Sequence, residues 1–217
     1  MTAPRSTDFP YVFAYDISDN RRRKEVLKCL KRWRVDGQYS VHETWLRPFQ
    51  MRDLSVELIG LIDRQDDSLL VCRLDQRKSS PIYQMSIKPN NLKPMVGKAH
   101  PTPVPHKLQK GDYVICYDIR ERKRLQRIQR LTAKRTIYLQ RSVYLYHGHG
   151  KGLISLLELV KKQMADDDDL RIYNLAHIRD TWFLSEDKPA IPEMMLKQAP
   201  KASPSMWQGL LNWIKKT

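Results

Sequence analysis

The seven residues YVFAYDI at 11–17 return as YVICYDI at 113–119, with five of the seven positions identical. The offset of 102 residues persists further along, because Gln38, Ser40 and Val41 fall on Gln140, Ser142 and Val143. After a slip of one residue, DSLLVCRL at 67–74 lies against DDLRIYNL at 168–175. An offset sustained over such a length identifies two copies of one unit. Proline placement marks the same boundaries: of 13 prolines, only Pro48 lies within 11–74 or 113–175. Proline is excluded from helix interiors and central strands, so the proline clusters read as linkers or edge segments. The expected organisation is an N-terminal arm (1–10), a first unit (11–90), a Pro-rich linker (91–110), a second unit (111–187), and a C-terminal tether with an amphipathic helix (188–217).

Within the first unit, Ser18, Asp19 or Asn20 can cap a helix in which Val26, Leu30 and Trp33 recur at helical spacing. Residues 38–46 alternate as a strand, 52–62 as an amphipathic helix, and 68–74 as a closing strand, with only a weak further strand signal around Trp45–Phe49. This order is the split βαβ pattern of an α+β, ferredoxin-like unit. A unit of about 65 residues is marginal alone, and its sheet normally leaves one polar face in water. Here Tyr11, Phe13, Tyr15 and Ile17 point one way and Val12, Ala14 and Asp16 the other, so both faces are apolar and one is made of small residues. The expected fold is two tandem ferredoxin-like units packed through their sheets as an intrachain pseudo-dimer, with Asp16 and Asp118 near a shared axis.

A formal charge of +15 points to a polyanionic partner, nucleic acid or an acidic membrane surface. No apolar run approaches a membrane span, and MTAPRSTDFP lacks the apolar core of a signal peptide. Cys29, Cys72 and Cys116 show neither disulfide nor zinc spacing, which fits a reducing cytoplasm. Arg21, Arg22, Arg23 and Lys24 open the first helix with Lys28 following, and the second copy offers Arg120, Arg122, Lys123, Arg124 and Arg127. Helix-start amides together with guanidinium groups make phosphate sites. Asp16 and Asp118 are either Mg²⁺ ligands for phosphodiester chemistry or strand-end acids accepting loop amides. Gln38, Ser40 and Val41 are assigned to hairpin register; Asp66–Asp67 and Asp166–Asp169 to solvated turns; His147 and His149 to a turn without other metal ligands nearby. In the tail, Trp207, Leu210, Leu211, Trp213 and Ile214 form an apolar helical face that docks into a partner or folds back on the body.

YDIS at 15–18, the arginine-rich helix start, QYSV at 38–41 and the acidic turn before LLVCRL resemble the smaller of the two core CRISPR adaptation proteins, the second CRISPR-associated endonuclease family. YDIR at 117–120, QRSV at 140–143 and DDDDLRIYNL at 166–175 carry the resemblance into the second copy. It implies a ferredoxin-like dimer that bridges CRISPR integrase subunits and supports a double-stranded prespacer DNA. It also implies that the strand-end acids, here Asp16 and Asp118, bind Mg²⁺ for nuclease activity. Members generally carry one copy per chain, so the duplication replaces self-dimerisation by intrachain pairing. The leading expectation is therefore a DNA-binding scaffold of spacer acquisition. The rival is a stand-alone Mg²⁺-dependent endonuclease. A tandem RRM-like RNA reader ranks third, because neither copy has the aromatic strand signature of that module.

Overall fold

The computed structural model of the protein describes residues 7–38, 40–76, 83–86 and 107–185. Trp207 and the rest of the expected tail helix, and most of the Pro-rich linker, lie outside the described residues. The first copy runs β1 (Phe9–Asp16), α1 (Asn20–Lys31), β2 (Arg34–Gln38), β3 (Val41–Leu46), α2 (Pro48–Ile59) and β4 (Ser68–Arg73). After β5 (Tyr83–Ser86), the second copy runs β6 (Gly111–Asp118), α3 (Arg122–Ala133), β7 (Ile137–Gln140), β8 (Val143–Gly148), α4 (Gly150–Lys161) and β9 (Asp169–Asn174), followed by β10 (Thr181–Leu184). The two sheets are wholly antiparallel and share one register: Val12 pairs with Glu43 and Cys72, and Val114 pairs with Leu145 and Tyr173. Both copies are ferredoxin-like, as the repeat requires.

Asp19 caps α1 by accepting from the amides of Arg21 and Arg22, and Glu121 does the same for α3 with Lys123 and Arg124. The weak strand signal resolves differently from expectation. The missing strand is β2, which follows directly on α1, while Trp45–Phe49 is the end of β3 and the start of α2, with Pro48 in its first turn. A register shift between Arg34 and Asp36 and the left-handed Gly37 (φ 152°) break the alternation that would reveal β2.

Edge strands are exchanged between copies. β5 follows the first copy but pairs with β9, and β10 follows the second copy but pairs with β4. A boundary after residue 90 thus gives β5 to the first unit by sequence, and one at 187 gives β10 to the second, whereas their backbone hydrogen bonds join the opposite sheets. Each exchanged strand covers an otherwise open sheet edge. Where β4 and β9 end, the copies also bond directly: the Asp75 amide donates to the Asn174 carbonyl, and the Ala176 amide to the Arg73 carbonyl, both at 3.0 Å.

The core has three layers. Phe13, Tyr15 and Leu30 belong to the layer under α1 and α2, and Ile115, Ile128 and Leu157 to the layer under α3 and α4. Between the sheets lies a third layer that neither copy possesses alone, in which Val12, Ala14, Leu70 and Cys72 meet Val114, Cys116, Leu145 and Tyr173. The small faces of β1 and β6 allow the close approach. One charged cluster is buried in this layer. Arg171, fully enclosed, places Nη1 2.9 Å from Glu43 Oε1 and 3.2 Å from Asp36 Oδ2, and the Tyr173 hydroxyl donates to Glu43 Oε1 at 2.9 Å. Burial pushes the Glu43 carboxyl up to about 7, against the pull of Arg171.

Because the middle layer belongs to both copies, we expect a single cooperative unfolding transition in urea. Leu70→Ala in the first copy and Leu145→Ala in the second should each lower stability by about 3 kcal/mol and shift that one transition. Two separate transitions in the wild-type protein would contradict a shared layer.

A candidate phosphodiester cleft between the copies

Asp16 and Asp118 are the last residues of β1 and β6, and both line one cleft of about 300 Å³. Tyr15 and Tyr117 line it too, each stacked on an outer ring: Tyr15 on His42 at 5.6 Å and Tyr117 on Tyr144 at 5.7 Å. His42 is buried and its pKa is lowered to about 3, chiefly by burial, so it stays neutral. The turns at Ser40 and Ser142 complete the wall. Their carbonyls accept from the amides of Tyr15 (3.0 Å) and Tyr117 (3.1 Å), which fixes each turn beside the acid-bearing strand end. Ser142 is held in the left-handed region at φ 62°, an uncommon conformation for a non-glycine residue. The sequence assigned Gln38, Ser40 and Val41 and their counterparts to hairpin register alone. The constant offset was the signal that these turns also line the site.

Among the described residues, two cations reach the cleft, and they are not symmetry mates. Arg23 lines it where the second copy has Leu125, and Arg141 lines it where the first copy has Tyr39. Burial pushes the Asp118 carboxyl above its ordinary range, with Arg120 opposing and Asp168 assisting. Among the described residues no group of three or more His, Cys, Asp or Glu side chains could hold a metal. His147 instead lies with Nδ1 2.6 Å from the Asp112 carboxylate.

The acidic turns are not solvated as expected. Asp66, Asp166 and Asp167 are exposed, but Asp67 and Asp168 are buried and organise the loops beyond Asp16 and Asp118. Asp67 accepts from the Ser18 amide at 3.1 Å and from Arg22 Nε at 2.7 Å. Asp168 accepts from the Arg120 amide at 3.0 Å and from Arg124 Nε at 2.6 Å. Burial alone would raise both carboxyls; the guanidinium and amide donors outweigh it and hold them below the usual range. Arg22 and Arg124, singled out for phosphate binding, are therefore half-buried partners of these acids. Arg21, Arg23, Lys24, Arg120, Arg122 and Lys123 are exposed around the two helix starts, and Lys28 and Arg127 are exposed further along α1 and α3.

The family described as CRISPR associated protein Cas2 matches residues 10–81 and again 112–183, more than half of the chain. The chain belongs to the Cas2 family. Among curated relatives, a CRISPR-associated endoribonuclease Cas2 of Nitrosomonas europaea is 38% identical over 73 residues, covering 34% of this chain and 65% of that protein. One from Allochromatium vinosum is 48% identical over 59 residues, covering 27% of this chain and 63% of that protein. The chain thus spans somewhat under two thirds of the length of these Cas2 relatives. A crystal structure of a hypothetical protein from Thermus thermophilus aligns with 31% identity over 31% of this chain and 83% of that one, at a TM-score of 0.31. Two Cas2 matches in one chain agree with the tandem fold. No helix among the described residues is long and apolar enough to cross a membrane.

The Asp67 and Asp168 clamps give a stability prediction with a definite sign. A carboxyl whose pKa is depressed on folding stabilises the protein above its unfolded pKa, and that contribution disappears as pH falls through the folded value. Asp67→Asn or Asp168→Asn should lower the melting temperature at pH 7 by roughly 5–10 °C. It should also flatten the acid limb of a melting-temperature profile. An unchanged acid limb would remove the clamp from the account.

Proposed function

We propose that the cleft between the two copies receives a phosphodiester, making this chain a nucleic-acid-binding Cas2 protein with Mg²⁺-dependent endonuclease chemistry. The observation that carries the reading is the convergence of Asp16 and Asp118, from two different copies, on one cleft that Arg23 and Arg141 also enter. Relatives named as endoribonucleases point to the same bond type. Asp16 and Asp118 fit Mg²⁺ as a two-carboxylate donor set, since that ion commonly takes one or two carboxylates and fills its remaining positions with water and phosphate oxygens. Burial disfavours the charged form of Asp118, and a divalent cation would favour it. When bound, the ion would supply Lewis-acid polarisation of the phosphodiester and an activated water. The chain's own part is to hold the phosphate with Arg23 and Arg141 and to keep the two carboxylates at a fixed separation through the paired sheets.

With Mg²⁺ and a labelled RNA or DNA oligonucleotide, Asp16→Asn and Asp118→Asn should each reduce cleavage by about a hundredfold or more while leaving binding within a few-fold. Because the Asp118 carboxyl is raised in the metal-free protein, protons and Mg²⁺ should compete for it, so the Mg²⁺ concentration giving half-maximal cleavage should rise as pH falls. Wild-type cleavage that survives both substitutions together would sink the assignment.

A second reading is favoured by the charge. Exposed Lys and Arg side chains cluster at both helix starts of a body with a net charge of +15, an arrangement suited to the backbones of a prespacer duplex. In that role the chain bridges CRISPR integrase subunits and serves spacer acquisition in the cytoplasm, with the Trp207–Ile214 segment as the partner-binding element. Duplex affinity should then fall with salt at a log–log slope of about −0.9 for each phosphate neutralised. Integration that persists in Asp16→Ala/Asp118→Ala would favour the scaffold. Integration lost with duplex binding intact would favour catalysis.

A further inference from the structure

The two copies share a backbone register, but their inner faces carry different chemistry at equivalent places. Glu43 pairs with Val12 in the first sheet, and the residue paired with Val114 in the second is Leu145. On the opposite flank, Leu70 and Cys72 pair with Ala14 and Val12, while Arg171 and Tyr173 pair with Cys116 and Val114. The middle layer therefore has two ends related by pseudo-symmetry. At one, Glu43 meets Arg171 and Tyr173 at 2.9 Å each, with Asp36 3.2 Å and Asp169 3.4 Å from the same guanidinium. At the other, Leu145 shares the apolar layer with Leu70 and Cys72, and the polar contact is a bond from the Ser68 hydroxyl to Gln140 Oε1 at 3.2 Å.

We propose that this one-ended charged cluster is a pairing code: each half accepts only the unlike half, so the inner faces reject a second copy of themselves and reject single-copy, self-dimerising Cas2 chains. If two first halves paired, both ends would set Glu43 against Leu70 and Cys72, burying two carboxylates that have lost Arg171 and Tyr173. If two second halves paired, both ends would set Arg171 against Leu145, burying two guanidinium groups without Glu43. Removing one member of a buried ion pair is strongly destabilising, because the remaining charge keeps its desolvation penalty. A symmetric single-copy relative offers the same residue at both ends of its face. It can match the charged end or the apolar end of either half, but not both. The code acts by excluding wrong pairs, as unpaired charges do in other specific interfaces. It is independent of what the cleft binds.

The test uses the full chain. Glu43→Leu, Arg171→Leu and the double change are compared by urea unfolding. Each single change should shift the unfolding equilibrium by at least about a hundredfold, and the double should be milder than the product of the singles by at least about tenfold. Asp36 and Asp169 retain some access to water, so the double variant leaves no fully enclosed charge. Effects that simply multiply would overturn the proposal. Specificity is then read on full-length protein carrying a protease site within 91–106, cut while folded, unfolded, refolded and weighed by native mass spectrometry. The wild-type halves should return only as unlike pairs, and the double variant as all three kinds of pair. Like pairs at a statistical share in the wild type, or strict unlike pairing in the double variant, would overturn it. The unfolding cycle is read on the uncut chain, so it remains decisive if the cut halves aggregate.

Discussion

Everything else in this chain depends on the layer between the two sheets. A ferredoxin-like unit can keep one sheet face in water, but these units carry Val12, Ala14 and Cys72, or Val114, Cys116 and Leu145, on that face. Leaving such residues exposed forfeits about 25 cal/mol for each Å² of apolar surface, a large loss for units this small. The exchanged strands β5 and β10 follow from the same pressure. Once the sheets are pressed together, the segment leaving one copy emerges beside the open edge of the other, and pairing there closes both edges. Burial and strand exchange thus reinforce one geometry, and the cleft at the strand ends inherits it.

Much of this was legible because the period of a strand is two. The alternation in 11–17 and 113–119 exposed two apolar faces, and the repeat showed that the condition occurs twice. From those facts the sheet-to-sheet packing and the meeting of Asp16 with Asp118 could be read before any coordinates. The hairpin was harder. In Arg34–Gln38 a register shift, a left-handed glycine and inward-facing charges remove the alternating signal, so β2 leaves no strand pattern in the sequence. The partners of β5 and β10 left no local trace. Four residues inside a Pro-rich stretch carry no information about which of two similar sheets they will join.

The acids of the turns show a different limit. A run such as DDDD at 166–169 looks like a solvated loop, and three of its four members are exposed or partly so. Asp168 differs because the chain before the strand folds back to present it to the Arg120 amide and to Arg124. Which acid in a run becomes the clamp is decided by which one the turn buries beside its donors, and only the folded chain supplies that. The repeat held the clue, since Asp67 and Asp168 occupy equivalent places and each has an arginine at the third position of the neighbouring helix.

Joining two copies in one chain changes what the shared cleft can become. In a dimer of identical chains every substitution appears twice about the axis, so a cation added on one side is added on the other. Here Arg23 faces the cleft without a mate, since Leu125 holds the equivalent place, and Arg141 stands where the first copy has Tyr39. The same freedom allows a buried ion pair at one end of the interface and an apolar contact at the other. A ligand with inherent direction would meet in this cleft a surface that differs at its two ends. The interface that makes the halves unlike is also the frame that holds Asp16 and Asp118 together, so asymmetry in pairing and asymmetry in the cleft have one structural source.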